Sequence, residues 1–264
     1  MFRLKPSEYP TSEATAEENV PKNRCPNVVA GDIHRPHLNP RPDYESDYVN
    51  AVYVDGHRKQ NTFFVTQMPL PDTRVDLWRL VEDYECIAIV MLNELQPEDE
   101  SAPNYWPVDD DSMSIGPFTI NKTSCDENDG IITTDLDVTS HVTTESPLKV
   151  KHIRVVDWPN TQALPTNSET LLRVFQNLMK WRKQNDDKPI LVHCWCGEMR
   201  CGMFCCLANV WEKMNEEHEV DVFNVVRQIR MNRPEFLVDE DQYKFMYQFA
   251  KDFLESESTY ANFQ

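Results

Sequence analysis

The sequence predicts an α/β domain in which a twisted mixed β-sheet is flanked by helices. Three observations predict it. Short apolar runs of strand length, such as Cys86–Leu92 and Pro189–His193, recur along the chain. Stretches with apolar residues at helical spacing separate them. The alternation continues without an internal repeat or a linker, which is the pattern of one sheet covered by helices.

In chain order, residues 1–20 are rich in Ser, Thr, Glu and Pro and are expected to form a flexible leader. Residues 25–45 hold many Pro, His and Asn and suggest an irregular loop. Asp47–Val54 and Asn61–Gln67 read as strands joined by a turn at Asp55-Gly56. Thr73–Glu85 places Val75, Leu77, Trp78, Val81 and Tyr84 at helical spacing, with Asp72 or Thr73 as cap. Cys86–Leu92 is a buried strand, and residues 96–112 form an acidic loop. Strands are expected near 115–123, 130–138 and 149–156, and Thr170–Gln184 is an amphipathic helix. The strand Pro189–His193 leads to three helices over Cys201–Met214, Val220–Asn232 and Glu240–Phe253. The domain is therefore expected over residues 21–257, with 258–264 as a tail.

Composition excludes several classes of function. The 264 residues carry a formal net charge of −18. Such a field repels nucleic acid and anionic lipid, so any phosphate site must be a local positive spot. No apolar run approaches the roughly 20 residues of a membrane span, and the first residues lack the apolar core of a secretory signal. The expected location is cytoplasmic, either alone or as the intracellular part of a membrane receptor. Of eight cysteines, Cys194, Cys196, Cys201, Cys205 and Cys206 crowd together. Without an export signal, reduced thiols are expected. Cys194-x-Cys196 lacks the spacing of a zinc knuckle, so no metal is expected. Asn121-Lys122-Thr123 fits the N-glycosylation pattern, which carries no meaning in an intracellular chain.

The chemistry concentrates in Ile190-Leu191-Val192-His193-Cys194-Trp195-Cys196-Gly197-Glu198-Met199-Arg200-Cys201-Gly202. A buried strand enters a short loop that begins with a cysteine and ends with an arginine at the start of a helix. Loop amides and a helix N-terminus point donors at an anion. Arg200 offers a bidentate contact to phosphate oxygens, and the same field favours a Cys194 thiolate. On local context alone, a chance pairing of a buried cysteine and a surface arginine is an equal reading.

The stretch resembles the His-Cys-x5-Arg signature loop of protein tyrosine phosphatases. Other segments resemble the same family in order: Asn23-Arg24-Cys25, Asp47-Tyr48-Val49-Asn50-Ala51, Thr66-Gln67-Met68-Pro69-Leu70-Pro71 with Trp78, Tyr105-Trp106-Pro107, Trp158-Pro159, Arg230–Pro234 and Asp241–Phe245. The resemblance covers roughly residues 20–256. Within the family it is nearest the second, membrane-distal domain of receptor-type enzymes that carry MAM domains. That narrower likeness rests on Asn23-Arg24-Cys25, Met91-Leu92-Asn93-Glu94 and Gly202-Met203-Phe204-Cys205.

The resemblance implies a cysteine nucleophile at Cys194, phosphate and transition-state binding by Arg200, and water positioning by Gln242. Trp195, Cys196, Gly197, Glu198, Met199 and Arg200 would line the substrate loop, and no cofactor is implied. It also exposes departures. The general-acid position is Asn160, whose amide is no proton donor at neutral pH, and losing such an acid costs about 10²–10⁴ in rate. The Trp158–Pro165 loop is one residue longer than usual and lacks the family glycine. Cys201 replaces a hydroxyl, and Met199 replaces a glycine where permissive backbone angles are expected. Glu198 adds negative charge, and Trp195 is bulky where a small residue is usual. Cys25 stands where a tyrosine stacks on the substrate ring, and Val238 stands at the first of two glutamine positions.

The leading expectation is a pseudophosphatase with a regulatory or phosphoprotein-binding role, inactive or strongly impaired. Its partner would be a catalytic phosphatase domain or a tyrosine-phosphorylated protein. One alternative is a slow tyrosine phosphatase acting through a Cys194 phosphocysteine. Another is a redox-sensing thiol domain pairing Cys194 with Cys196, set against the blander reading of the extra cysteines as small buried hydrophobes.

Overall fold

The computed structural model describes residues 10–143 and 146–261, with side chains described to Glu255. Of the stretch expected as a leader, residues 1–9 lie outside the described residues. Ser12–Thr15 forms one helical turn, α1, whose Ser12 N–H donates to Asp32 at 2.9 Å. Of the expected tail, the last helix extends through Ala261.

Eight strands form one sheet in the order β1-β2-β8-β3-β7-β6-β5-β4. They are β1 (Ala51–Val54), β2 (Phe63–Gln67), β3 (Ala88–Met91), β4 (Ser112–Ile115), β5 (Phe118–Asn128), β6 (Ile131–Ser140), β7 (Leu148–Val155) and β8 (Ile190–Cys194). The inner four, β2-β8-β3-β7, pair in parallel, and antiparallel strands extend both edges. The mixed sheet agrees with expectation. The strand expected near 115–123 is instead two: the chain reverses at Gly116, where φ is +52° and a Cβ would lie 2.7 Å from the Tyr44 hydroxyl oxygen.

The helices are α2 (Arg74–Asp83), α3 (Ser168–Lys183), α4 (Met199–Glu217), α5 (Val222–Asn232) and α6 (Glu240–Ala261). The Asn167 side chain accepts from Thr170 N–H to cap α3, and Asp221 does the same for α5 through Asn224. Thr73 stands at the N-cap of α2 but makes no side-chain capping hydrogen bond there. The Thr73 hydroxyl instead accepts from Leu70 N–H at 2.9 Å, closing a 3₁₀ turn over Pro71–Thr73.

The period-2 alternation of the central strands divides the core. Ile190, Val192 and Cys194 face one side with Phe63, Val65, Ala88 and Val90, and pack against Phe175, Phe204, Ile229 and Phe249 of α3–α6. Leu191, Phe64, Ile89 and Met91 face the other side, under Leu77, Trp78 and Val81 of α2 and the buried Tyr105 and Trp106. Buried on both faces, β8 is apolar over Ile190, Leu191 and Val192 and leads to the sheet's C-terminal edge, where open α/β sheets place their ligands.

Candidate functional site

At the end of β8 the chain curls from Cys194 into the first turn of α4. Gly197 makes the curl possible: its φ is +71°, and a Cβ there would lie 2.6 Å from the Thr66 main-chain oxygen. The buried Arg233 holds the curl from beneath, donating to the Gly197 oxygen at 2.5 Å and to Asn50 Oδ1 at 3.0 Å. Gly202 then lets α4 approach Phe236, which a Cβ would meet at 2.7 Å. The left-handed conformation expected of position 199 is not needed. Among the described residues Met199 is not at positive φ and begins α4, so its side chain is tolerated without backbone strain.

Cys194 is 4% exposed and lies at the base of an open cleft of about 470 Å³. The Cys201 thiol donates to its sulfur, and the main-chain amides of Cys201, Glu198 and Gly197 also point at it. These donors outweigh burial and bring the Cys194 thiol down to about 6, so a thiolate is held at neutral pH. Burial, with the bond donated to Cys194, pushes the Cys201 thiol well up, which keeps its proton available. Cys201 is thus placed to favour the Cys194 thiolate. Burial also pushes the Glu198 carboxyl up.

Behind the loop, a buried Tyr105 hydroxyl sits between two histidines, 2.7 Å from His152 Nε2 and 2.6 Å from His193 Nε2. Burial brings His193 down to about 3 and His152 well below its ordinary value, so both rings are neutral. This trio was not foreseen. Only the position of His193 before the cysteine marked it.

Arg200 borders the cleft, but its guanidinium is engaged by the protein itself. Nη1 donates to the Leu92 oxygen at 2.6 Å, the Trp158 oxygen at 2.9 Å and Asn160 Oδ1 at 3.3 Å. Nη2 donates to the Pro159 oxygen at 2.6 Å and the Gln162 oxygen at 3.1 Å. The arginine expected to grip phosphate therefore grips the 158–162 loop.

Asn160 is exposed at the cleft wall. Its N–H donates to Glu94 Oε2 at 2.8 Å, and its side-chain oxygen accepts from Glu94 N–H at 3.2 Å. Glu94 is thus the carboxylate bonded at the expected acid position. Asp157 is turned away and accepts from Asn167 and Thr170. Gln242 is fully buried, with Nε2 3.5 Å from the Ala163 oxygen, and does not line the cleft. Val238 is exposed.

Trp195, Cys196, Glu198 and Met199 line the cleft, and Gly197 lies buried behind them. The Arg24 guanidinium lies over the Trp195 ring at 4.3 Å. Next to that contact, Cys25 and Cys196 are joined in a disulfide that links residues 171 apart in sequence. The expectation of reduced thiols is corrected at this pair, and so is the pairing of Cys194 with Cys196. Cys194 is free, and Cys196 is bonded to Cys25 instead. Among the described residues, no group of three His, Cys, Asp or Glu side chains is placed to hold a metal ion, and no helix is long and apolar enough to cross a membrane.

Residues 19–252 match the family described as protein-tyrosine phosphatase. Receptor-type tyrosine-protein phosphatase alpha of Mus musculus is 31% identical over 248 residues, which cover 93% of this chain and 30% of that protein. The epsilon form of Rattus norvegicus is 33% identical over 256 residues, covering 93% of this chain and 36% of that protein. The S form of Gallus gallus is 33% identical over 243 residues, covering 91% of this chain and 16% of that protein. The chain thus spans about a third or less of the relatives it matches. With the thiolate in its ring of amides, the sheet that carries it, and a match running nearly end to end, the chain belongs to the protein tyrosine phosphatase family.

Proposed function

We propose that this chain is a pseudophosphatase domain that binds rather than hydrolyses, its partner being a tyrosine-phosphorylated protein or a catalytic phosphatase domain. The observation that carries this reading is Arg200. An oxyanion entering the cleft meets the amides around Cys194, but must displace Arg200 from main-chain oxygens before it gains a bidentate contact. The position that would protonate a leaving phenolate is Asn160, which supplies no proton. The replacement of a stacking tyrosine by Cys25, tied into a disulfide, further weakens selection for an aromatic ring.

The finer placement, as the membrane-distal second domain of a MAM-containing receptor on the cytoplasmic side, belongs to the same proposal. The segments 23–25, 91–94 and 202–205 support it.

The second reading is a slow phosphatase through a Cys194 phosphocysteine. The Cys194 thiol at about 6 favours it, with Glu94 bonded to the acid position. Turnover of p-nitrophenyl phosphate by the unmodified chain, beside Cys194→Ser, separates the two. Turnover at the level of Cys194→Ser, with measurable tungstate binding, supports the binding domain. Efficient turnover that Cys194→Ser abolishes overturns it.

A further inference from the structure

We propose that Cys25 and Cys196 form a redox-modification site that fastens and releases one rim of the cradle, with a peroxide as oxidant and a dithiol as reductant. On oxidation the two thiols give up their hydrogens as the sulfur–sulfur bond forms, and the peroxide is reduced to two waters. On return, a dithiol transfers two hydrogens to the pair and becomes a disulfide itself.

Access separates this pair from most of the other cysteines. Cys25 and Cys196 are half-buried, within reach of a small reagent. Cys86, Cys201, Cys205 and Cys206 are fully enclosed. A thiol needs both access and a partner to enter exchange, and here the partner is already in place.

Position gives the bond its consequence. Arg24 is fastened by donation to the Met68 oxygen at 2.9 Å and Ser101 Oγ at 2.9 Å, and it covers the Trp195 ring. The disulfide repeats that contact one residue on, so the turn at 24–25 is riveted to 195–196 by two neighbouring links. Cys196 directly precedes Gly197, whose amide faces the Cys194 sulfur. The opposite rim is held separately, by Arg200 on the 158–162 loop. In the oxidised protein both rims are therefore held, and reduction loosens only the 24–25 side.

The proposal rests on the shape of the cradle and not on absent turnover, so its test is independent of any phosphatase assay. Peptides from the full chain, alkylated and digested without reductant, are expected to include one crosslink joining Cys25 and Cys196. Peroxide treatment of reduced, desalted protein should restore it. Alkylation of Cys194 by iodoacetamide at pH 7 is expected to run about threefold or more faster in the reduced protein than in the crosslinked one. Cys25→Ser should match the fast rate whether or not reductant was used, and Cys196→Ser serves the same purpose if Cys25→Ser does not fold. The exposed Cys125 provides an internal reference whose rate stays constant. Absence of the crosslink before and after peroxide overturns the proposal, as does an equal Cys194 rate in crosslinked and reduced protein.

Discussion

Arg200 donates to Asn160 Oδ1 at 3.3 Å, which ties the arginine of the cradle to the residue standing where a proton donor is expected. The contact makes the two positions one arrangement. While the 158–162 loop accepts from Arg200, guanidinium and loop are held to each other at the edge of the cleft.

Loss of this clamp should loosen the loop. Arg200→Ala removes five hydrogen bonds, four of them to main-chain oxygens. The expected result is faster amide hydrogen exchange across 158–163 and a stability loss of about 2 kcal/mol, since bonds from charged groups are among the stronger ones. Arg200→Lys keeps the charge but not the fork, and should recover less than half of the lost protection. Unchanged exchange in Arg200→Ala would show that other contacts hold the loop.

Placing an acid at position 160 is a separate matter. Asp at position 160 can accept from Glu94 N–H and Arg200 as Asn160 does, so Asn160→Asp should fold normally. Because a general acid contributes about 10²–10⁴, a cradle that is otherwise competent should gain at least about tenfold in aryl phosphate turnover. If the engaged Arg200 is the larger defect, the gain is absent, and the double variant with Cys201→Ser shows none either. Steady-state rates of the three proteins decide between these outcomes.

The Cys201 thiol is the first cause of the lowered Cys194 value. Cys201→Ala should move the midpoint of Cys194 alkylation upward by about one pH unit or more, while Cys201→Ser, with a better donor, holds it in place. The rate of Cys194 alkylation against pH reads this directly.

Much of this was legible in the sequence, and the exceptions share a cause. Contiguous apolar residues marked β3 and β8, and spacing marked α2 and α3, because burial imposes a period on residue type. Cys194 and Arg200 were legible for their spacing on either side of a loop. The partners of Arg200 were not, because four of its acceptors are main-chain oxygens, which every residue carries. The Cys25–Cys196 bond was hidden by a separation of 171 residues. Asn160 was marked, and Glu94 stood in a marked segment, but their pairing across 66 residues left no local pattern. The break at Gly116 had a signal in Gly116-Pro117, where the apolar positions change phase from Met113 and Ile115 to Phe118 and Ile120.

The buried histidines predict acid sensitivity. Both folded values lie below the ordinary 6.5, so the unfolded chain takes up protons that the folded chain refuses. Stability from this source is complete above pH 6.5 and falls as pH drops below it, by about 1.4 kcal/mol per pH unit for each ring. Urea midpoints measured from pH 7 to pH 5 should show this slope. His152→Gln should flatten it even though it lowers the midpoint at pH 7. An unchanged slope in that variant would place the acid sensitivity elsewhere.

Gly197 and Met199 predict opposite responses to exchange with small residues. Gly197 sits at φ +71° with the Thr66 oxygen 2.6 Å from any added Cβ and Arg233 bonded to its own oxygen. Gly197→Ala must strain the backbone and push against a strand, so a loss of about 2 kcal/mol or more is expected, with a higher Cys194 midpoint as the amide turns away. Met199 begins α4 at an ordinary helical angle, so Met199→Gly restores the family residue without relieving any strain. It should lower stability by up to about 1 kcal/mol through helix propensity and leave the Cys194 midpoint in place. Thermal unfolding and the alkylation profile together test the pair. A stabilising Met199→Gly would mean that the methionine does distort the cradle.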